Sequence, residues 1–509
     1  MEELLIGIDV GTTGTKSMVL DASGTILASA YKSYPTYNDR PGYAEQDAED
    51  WWGAVVETVR ECTKDKRVAD AVVAIGLSSQ GGSMVPIGAD GRPIRRSMIW
   101  MDKRGDAQSR YFSENMPEDY IYLTTGWALS GSLNAVQIRW MSEHEPELFA
   151  KTAFFLSTID FVNMKLTGRR CIDPSNAGIT QLFNLHTMKW DEKILGLVGL
   201  GAEKLPEIAD SGSVIGELTG EAAEALGLKR AVRVVSGGHD QYCVALGAGA
   251  VNAGDVLLAT GTAWVVAKIS DSPQFDTATH LAQSIHTVKG KWGSIGSLEN
   301  GGSSLKWFQE KFAGNIEAGG KMEKESLQQI DAIAAERPIG SNGILFYPCF
   351  GGAMLPKMEP LTRGTILGLD FSHDRYDLAR AVMEGVVFQT RRILELFGRE
   401  DRPNGVIKML GGATRSPLWS QMVADIFGAP ITIPLVVDIA CVGAAALAGC
   451  GAGLYPDACA GYARLRQKET EFVPVAANVK RYQALYEQFA QRAGLLEACY
   501  KIGSNQAEG

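Results

Sequence analysis

Residues Ile6–Lys16 read IGIDVGTTGTK, and from Leu257 the chain reads LLATGTAWVV. Both stretches set a glycine-hydroxyl turn between two apolar runs of strand length. Small residues in a tight turn leave successive backbone N–H groups uncovered, and such groups can cradle a phosphate with no side chain in the way. In the first stretch Gly11, Thr12 and Thr13 make the turn and Lys16 follows on the next strand. Asp9 precedes the turn, a carboxylate suited to holding Mg2+ through its water shell. In the second stretch Thr260, Gly261 and Thr262 play the same parts. Two such turns half a chain apart imply a duplicated fold that grips a nucleotide from both sides.

The flanking sequence supports duplication. Leu4–Val10, Ser17–Leu20 and Thr25–Ala30 are strand-like runs whose connections are too short for crossover helices, so they pair antiparallel. An amphipathic helix is predicted over Ala48–Cys62, with Trp51, Trp52, Val55, Val56 and Val59 at helical spacing. A further apolar run, Ala71–Leu77, ends in SSQGGS. This β-β-β-α-β order implies an α/β fold with a mixed sheet covered by helices. The second half repeats the plan: a hairpin of Asp255–Thr260 and Ala263–Ile269, a long helix over Asp377–Phe397, a strand over Val406–Leu410, and a helix from Pro417 to Phe427. Between the last two lie Gly411, Gly412 and Ala413, a strand-to-helix turn of the kind that contacts nucleotides.

A chain of 509 residues exceeds the size of one growing core, so two domains are expected. The cut falls near Val251, after GAGAVNAG, giving domains 1–250 and 251–503 and a disordered tail, 504–509. A net charge of −10 argues against general nucleic-acid binding, which needs a basic footprint. The eight cysteines are scattered, with no CxxC pair, which fits reduced thiols in a cytosol better than disulfides or zinc. The absence of an eighteen-residue apolar run, and Asp9 inside the first strand, argue against a membrane span and a secretory signal. The expectation is a cytoplasmic two-domain protein.

The turn at Gly11 is not a Walker A motif, because Thr15 separates Gly14 from Lys16, and it is not GxGxxG. One copy alone is equally a simple hairpin turn; the second copy and the Gly411 turn weigh against that. Asp240, in SGGHDQ, follows the apolar run Val232–Val235 and precedes a helical segment. That pattern suits an N-cap aspartate as well as a general base.

With these features, the chain resembles the FGGY carbohydrate kinases, which share the actin-like, ribonuclease-H-like ATPase fold. The C-terminal signature of that family is matched by GTILGLDFSHDRYDLARAVME, Gly364–Glu384. The N-terminal signature is recognisable in SLNAVQIRWMSEHEPE through Trp140, Glu143 and His144, and departs from the pattern at Asn134 and Gln137. Gly364 and Gly368 read as turn and packing residues. The resemblance implies two ribonuclease-H-like domains, each a mixed five-stranded sheet flanked by helices, with the active site in the cleft between them. It implies ATP and Mg2+ as cofactors, a small sugar as partner, and a homodimer.

Residue by residue, the resemblance makes Asp240 the general base that takes the proton of a sugar hydroxyl. Ser79, Gln80, Gly81, Trp100, Asp102 and Gln241 match positions that line the sugar pocket. Polyols need such a mixture of polar groups and apolar surface, although Trp100 could equally be core and Asp102 a solvated helix start. Gly11, Thr12, Thr13 and Lys16 form the first phosphate loop, with Asp9 near Mg2+. Thr260, Gly261 and Thr262 form the second, and Gly411, Gly412 and Ala413 pack against adenosine with Ser416 close by. D-xylulose kinases carry Met-His where this chain has Gly81-Gly82, which implies a more open, less basic pocket floor here. The expected activity is phosphorylation of a ketopentose such as xylulose, or a related polyol. The rivals are a conformational ATPase of the actin or chaperone kind and a non-catalytic sugar sensor. The first predicts a peptide- or filament-binding extension, and none is evident after Gly453. The second is opposed by retention of Asp9, both Gly-Thr turns and Asp240.

Overall fold

A computed structural model of the chain describes residues 3–316, 322–324, 326–352, 355, 361–398, 405–436 and 438–501. The tail expected at 504–509 lies outside the described residues. The chain divides into two compact units. The first comprises Met1–Val251, Asp271–Gly293 and Asp438–Gln467, and the second Asn252–Ser270, Ser294–Val437 and Lys468–Gly509. A single cut near Val251 does not anticipate the return of 271–293 and 438–467 to the first unit.

The first unit is built on a six-stranded sheet, in the order Val214–Glu217, Arg233–His239, Val72–Ser79, Leu4–Val10, Gly14–Asp21, Ile26–Ser33. The expected antiparallel meander of the last three strands is present, and Leu4–Val10 and Arg233–His239 each run parallel to Val72–Ser79. Leu4–Val10 is buried along almost its whole length, as a central strand covered on both faces must be. The edge strand Ile26–Ser33 alternates and faces solvent.

Helix Ala48–Cys62 starts where Asp47 accepts a hydrogen bond from the Glu49 N–H at 2.9 Å, and buries Trp51, Ala54, Val55 and Val59. Full burial contributes roughly 1.5–3 kcal/mol for each of the larger apolar side chains. Helix Ile439–Ala452, IACVGAAALAGCGA, also belongs to this unit. Its small residues let it lie almost in backbone contact with the sheet. A Cβ on Gly7 would stand 1.8 Å from the Cys441 carbonyl oxygen, and one on Gly76 would stand 2.0 Å from that of Ala444. Helix Asp240–Ala248 meets it equally closely: a Cβ on Gly443 would stand 2.0 Å from the Cys243 carbonyl oxygen.

The second unit repeats the arrangement. Val256–Thr260 pairs antiparallel with Trp264–Ser270 and parallel with Ile407–Gly411, which is parallel to Ile431–Pro434. The strands run in the order Trp292–Leu298, Trp264–Ser270, Val256–Thr260, Ile407–Gly411, Ile431–Pro434, Glu469–Phe472. Both sheets therefore exceed the five strands expected, because short edge strands carry little periodic signal. Helix Arg375–Glu395 opens with a capping box between Asp374 and Asp377, and helix Pro417–Phe427 runs over the predicted residues. The signature segment is structural. Glu384 accepts from Arg380 at 3.0 Å and from the Gly340 N–H at 3.0 Å, and a Cβ on Gly368 would stand 2.4 Å from the Gly343 carbonyl oxygen.

Candidate active site

Strand pairing brings the predicted residues of the first unit to one level. Asp9 is in register with Ser78 on one neighbour and Lys16 on the other, and Ser78 is in register with Gly238. Asp240 follows two residues on, as the first residue of helix Asp240–Ala248. Ligands of open α/β sheets collect at this carboxyl edge of the strands. His239, rather than Asp240, holds the helix cap position, and no side chain caps the helix. The capping reading of Asp240 is thereby removed.

The two carboxyls are electrostatically unusual. Burial, reinforced by the charge of Asp240, pushes Asp9 up to about 6, against the opposing hydrogen bond from Ser78 and the charge of Lys16. Ser78 Oγ donates to Asp9 Oδ1 at 2.8 Å. Burial likewise raises Asp240 to about 6, opposed by hydrogen bonds from Gln241. The Asp240 side chain nevertheless keeps 31 % of its surface exposed, so it can be reached. Shifted acids beside one another at a strand edge are the kind of groups that do proton chemistry.

Lys16 is not the free, solvent-facing lysine typical of a strand end. Its Nζ pairs with Asp438 at 3.0 Å, a partner more than four hundred residues away in sequence. Burial alone would lower its pKa, but the hydrogen bond and charge of Asp438 outweigh this and raise it. The turn between them is closed by the Gly11 N–H donating to the Gly14 carbonyl at 3.1 Å, and Tyr34 OH donates to the Gly11 carbonyl.

The residues expected to line the sugar pocket differ in exposure. Trp100 is 48 % exposed, which removes the core-packing reading, and its Nε1 donates to Thr12 Oγ1 at 3.0 Å. Gln80 is buried. Its Nε2 donates to Gln46 Oε1 at 2.9 Å, while its Oε1 has no partner among the described residues, and the same is true of Gln241 Oε1. Both are buried acceptors whose hydrogen bonds are left unmade among the described residues. Ser79 is fully buried and its hydroxyl donates to the Gln80 carbonyl at 3.0 Å. Asp102 is also fully buried, so it is no solvated helix start. It accepts from the Ala44 N–H at 2.7 Å and pairs with Arg104 at 2.7 Å. Its carboxylate shapes the loop behind Trp100.

At Gly81-Gly82, where a more open floor than that of D-xylulose kinases is expected, the space beside the backbone is occupied. A Cβ on Gly81 would stand 2.7 Å from His239 Cδ2, and one on Gly82, at φ +64°, 2.8 Å from Leu133 Cδ2. The space that a side chain at 81 would fill is taken by the His239 imidazole from the neighbouring strand and by Ile179, whose Cγ2 would stand 2.8 Å from that Cβ. Burial lowers that imidazole to about 4, so it is neutral near pH 7, with Nε2 3.3 Å from Asp240 Oδ1.

In the second unit Thr260 and Gly411 are in register, and Thr260 Oγ1 donates to the Leu410 carbonyl at 2.5 Å and accepts from the Ala413 N–H at 3.3 Å. The Thr260 hydroxyl thus joins the two loops, leaving Gly261 and Thr262 as the exposed part of the turn. Gly302 and Ser303, missed by sequence reasoning, brace that turn by donating their N–H groups to the Gly261 and Thr262 carbonyls at 3.1 Å each. Gly412 is exposed and Ala413 buried. Ser416 caps helix Pro417–Phe427 by accepting from the Trp419 N–H at 2.8 Å, and bonds Asp331.

Among the described residues no three His, Cys, Asp or Glu side chains converge on a cation. Mg2+ needs fewer, because it keeps several waters and takes one or two carboxylates beside phosphate oxygens. Asp9 suits that role, since a nearby cation would relieve the unfavourable charge that burial and Asp240 impose on it. Two roomy surface cavities, of about 470 and 740 Å3, contain none of the predicted residues, so chemistry rather than volume marks this site.

Two units that each join a glycine-turn hairpin to a parallel strand define the duplicated actin-like, ribonuclease-H-like ATPase fold. Sequence comparison agrees along the chain: residues 4–247 match the N-terminal domain, and 257–452 the C-terminal domain, of the FGGY family of carbohydrate kinases. The chain belongs to that family. It is 30% identical over 488 residues to a xylulose kinase of Bacillus subtilis (strain 168), covering 95% of each chain. It is 28% identical over 509 residues to a gluconokinase of the same organism, covering 98% of this chain and 97% of the other. Among solved structures, a gluconate kinase from Lactobacillus acidophilus superposes with a TM-score of 0.89 at 26% identity, over 99% of this chain and 100% of that one.

Proposed function

We propose that this carbohydrate kinase transfers the γ-phosphoryl group of ATP to a hydroxyl of a ketopentose such as xylulose, or of a related polyol. The observation that carries the reading is Asp240, an accessible carboxyl at the carboxyl edge of three parallel strands. Its pKa of about 6 leaves it mostly ionised near pH 7.5, yet basic enough to accept a proton as it is lost. Asp240 takes the hydroxyl proton while the oxygen attacks the γ-phosphorus in line. Gln80 and Gln241, whose amide oxygens lack protein partners, orient the acceptor, and Trp100 offers its C–H groups an aromatic face.

In the first unit the phosphates are assigned to the Gly11–Thr13 turn and Lys16, and in the second to Gly261 and Thr262. Gly411, Gly412 and Ala413 are assigned to adenosine. Asp9 would hold Mg2+, which when bound neutralises phosphate charge. Phosphoryl transfer has a loose transition state, so positioning and charge stabilisation supply most of the rate.

Relatives named xylulose kinase, gluconokinase and glycerol kinase support a polyhydroxylated acceptor as a class. The test is a coupled ADP-release screen against ketopentoses, aldonic acids, polyols, deoxysugars and glycerol, with an acceptor-free control. Release that depends on a ketopentose or polyol supports the reading. Equal release without any acceptor returns the conformational-ATPase alternative, and no release anywhere returns the sensor.

A further inference from the structure

Gln46 takes no part in the chemistry above, yet it stands where the sugar side and the first phosphate turn meet. It lies on the short strand Glu45–Gln46, paired antiparallel with Ser97–Met98, whose chain runs on to Trp100. All four hydrogen-bonding positions of its amide are used. Nε2 donates to the Thr12 carbonyl at 2.6 Å and to Thr36 Oγ1 at 2.9 Å. Oε1 accepts from Trp51 Nε1 at 3.0 Å and from Gln80 Nε2 at 2.9 Å.

These bonds have a direction. The Gln80 amide oxygen is free of protein partners, its nitrogen donates to the Gln46 oxygen, and the Gln46 nitrogen donates to the Thr12 carbonyl. The chain of amides is polarised one way, and among the described residues the oxygen at its head, on the buried Gln80, has no donor. A hydroxyl donated to Gln80 would strengthen every bond downstream, because aligned hydrogen bonds polarise one another. The last carbonyl belongs to the peptide unit that carries the Thr13 N–H, a donor of the phosphate turn. Trp100 reaches the same residue by a second route, through Thr12 Oγ1.

We propose that Gln46 is a positioning residue that relays occupancy of the sugar pocket to the first phosphate turn, so that acceptor and nucleotide bind with positive coupling. The inference rests on the kinase reading and names a device within that site. Linkage makes the effect reciprocal, so it can be read as the change in nucleotide affinity that the acceptor causes.

The experiment is calorimetric titration of the full chain with a non-hydrolysable ATP analogue and Mg2+, with and without a saturating acceptor. The acceptor is whichever of D-xylulose, D-gluconate or glycerol is turned over best. The acceptor should tighten the analogue roughly fivefold or more in the unaltered protein. Gln46→Glu keeps the oxygen that accepts from Trp51 and Gln80 but loses the donor to Thr12, and should bring the factor below about twofold. Trp100→Phe keeps an aromatic face, loses the indole donor at an exposed position that does not threaten folding, and should at least halve the factor.

A merely structural Gln46 would weaken both ligands together and leave the factor intact, which overturns the proposal. A factor near one in the unaltered protein also overturns it. If Gln46→Glu does not fold, Gln80→Glu, which keeps the amide oxygen's position but loses the donor to Gln46, decides by the same criterion. Phosphorylation of an acceptor with coupling unchanged in the variants sinks this inference alone. No phosphorylation of any acceptor sinks the kinase reading, and the relay with it.

Discussion

Replacing Asp240 by Asn separates chemistry from folding in opposite directions. The amide cannot accept the hydroxyl proton, and loss of a general base costs about 10²- to 10⁴-fold in rate. At about 1.4 kcal/mol per factor of ten, that is about 3–5 kcal/mol of transition-state stabilisation. The fold should gain. A carboxyl raised from an ordinary 3.8 to about 6 by burial is a destabilised anion, worth at most about 3 kcal/mol. Because the side chain remains partly exposed, solvent screening reduces this to about 1–2 kcal/mol.

The sign follows from proton linkage: the native state binds more protons than the unfolded chain between about pH 4 and 6. The wild-type penalty therefore grows with pH across that window and is fully present above it. Asp240→Asn should unfold at a higher temperature than wild type at pH 7.5, and show no such advantage near pH 4. Removing the charge should also let Asp9 fall toward its ordinary value, since Asp240 helps to raise it. Steady-state kinetics on the best acceptor, nucleotide titration and differential scanning calorimetry at both pH values make the assay. Turnover within tenfold of wild type, or lower stability at pH 7.5, would refute the assignment of Asp240 as a strained, accessible base.

Three further outcomes are expected. Gly261→Val should weaken nucleotide binding at least tenfold and leave acceptor binding unchanged. A Cβ there meets nothing in the protein closer than the Ala263 carbonyl oxygen at 3.4 Å, so equal loss of both affinities in titrations would contradict the loop assignment. Gly81→Met should cost more than about 1 kcal/mol and disturb turnover, because its Cβ collides with both His239 and Ile179; denaturant melts of the variant matching wild type would show that those side chains do not fill that space. Gly7→Ala should destabilise by more than about 3 kcal/mol, since its methyl would stand 1.8 Å from the Cys441 carbonyl oxygen; a variant melting like wild type would show that helix Ile439–Ala452 does not lie on that strand.

Much of the scaffold is legible because it rests on local physics. The hairpins around Gly11 and Gly261 are fixed by turn chemistry between apolar runs. Helix Ala48–Cys62 follows from the spacing of Trp51, Val55 and Val59 with Asp47 at its cap, and helix Pro417–Phe427 from Ser416 and Pro417 at its start. Asp9 and Asp240 stand out because each sets a carboxylate in or just beyond an apolar run, a costly choice unless it is used.

What the sequence could not disclose depends on contacts between distant segments. Nothing in IACVGAAALAGCGA names the sheet it covers; only the absence of side-chain bulk hints at close approach, and the surface it approaches is a property of the folded chain. The Asp438 partner of Lys16, the Gln80–Gln46–Thr12 line of amides and the closing of the Gly81 space by His239 arise the same way. The burial of Asp102 against Arg104 and the engagement of the Thr260 hydroxyl also escaped pattern reading, because motifs give residue types and spacing but not which polar atoms are already satisfied. Local periodicity and turn chemistry determined the elements and the order in which they occur. The packing of remote segments decided which of the expected groups remain free to meet a ligand, since a hydrogen bond made inside the protein is one no longer available to a substrate.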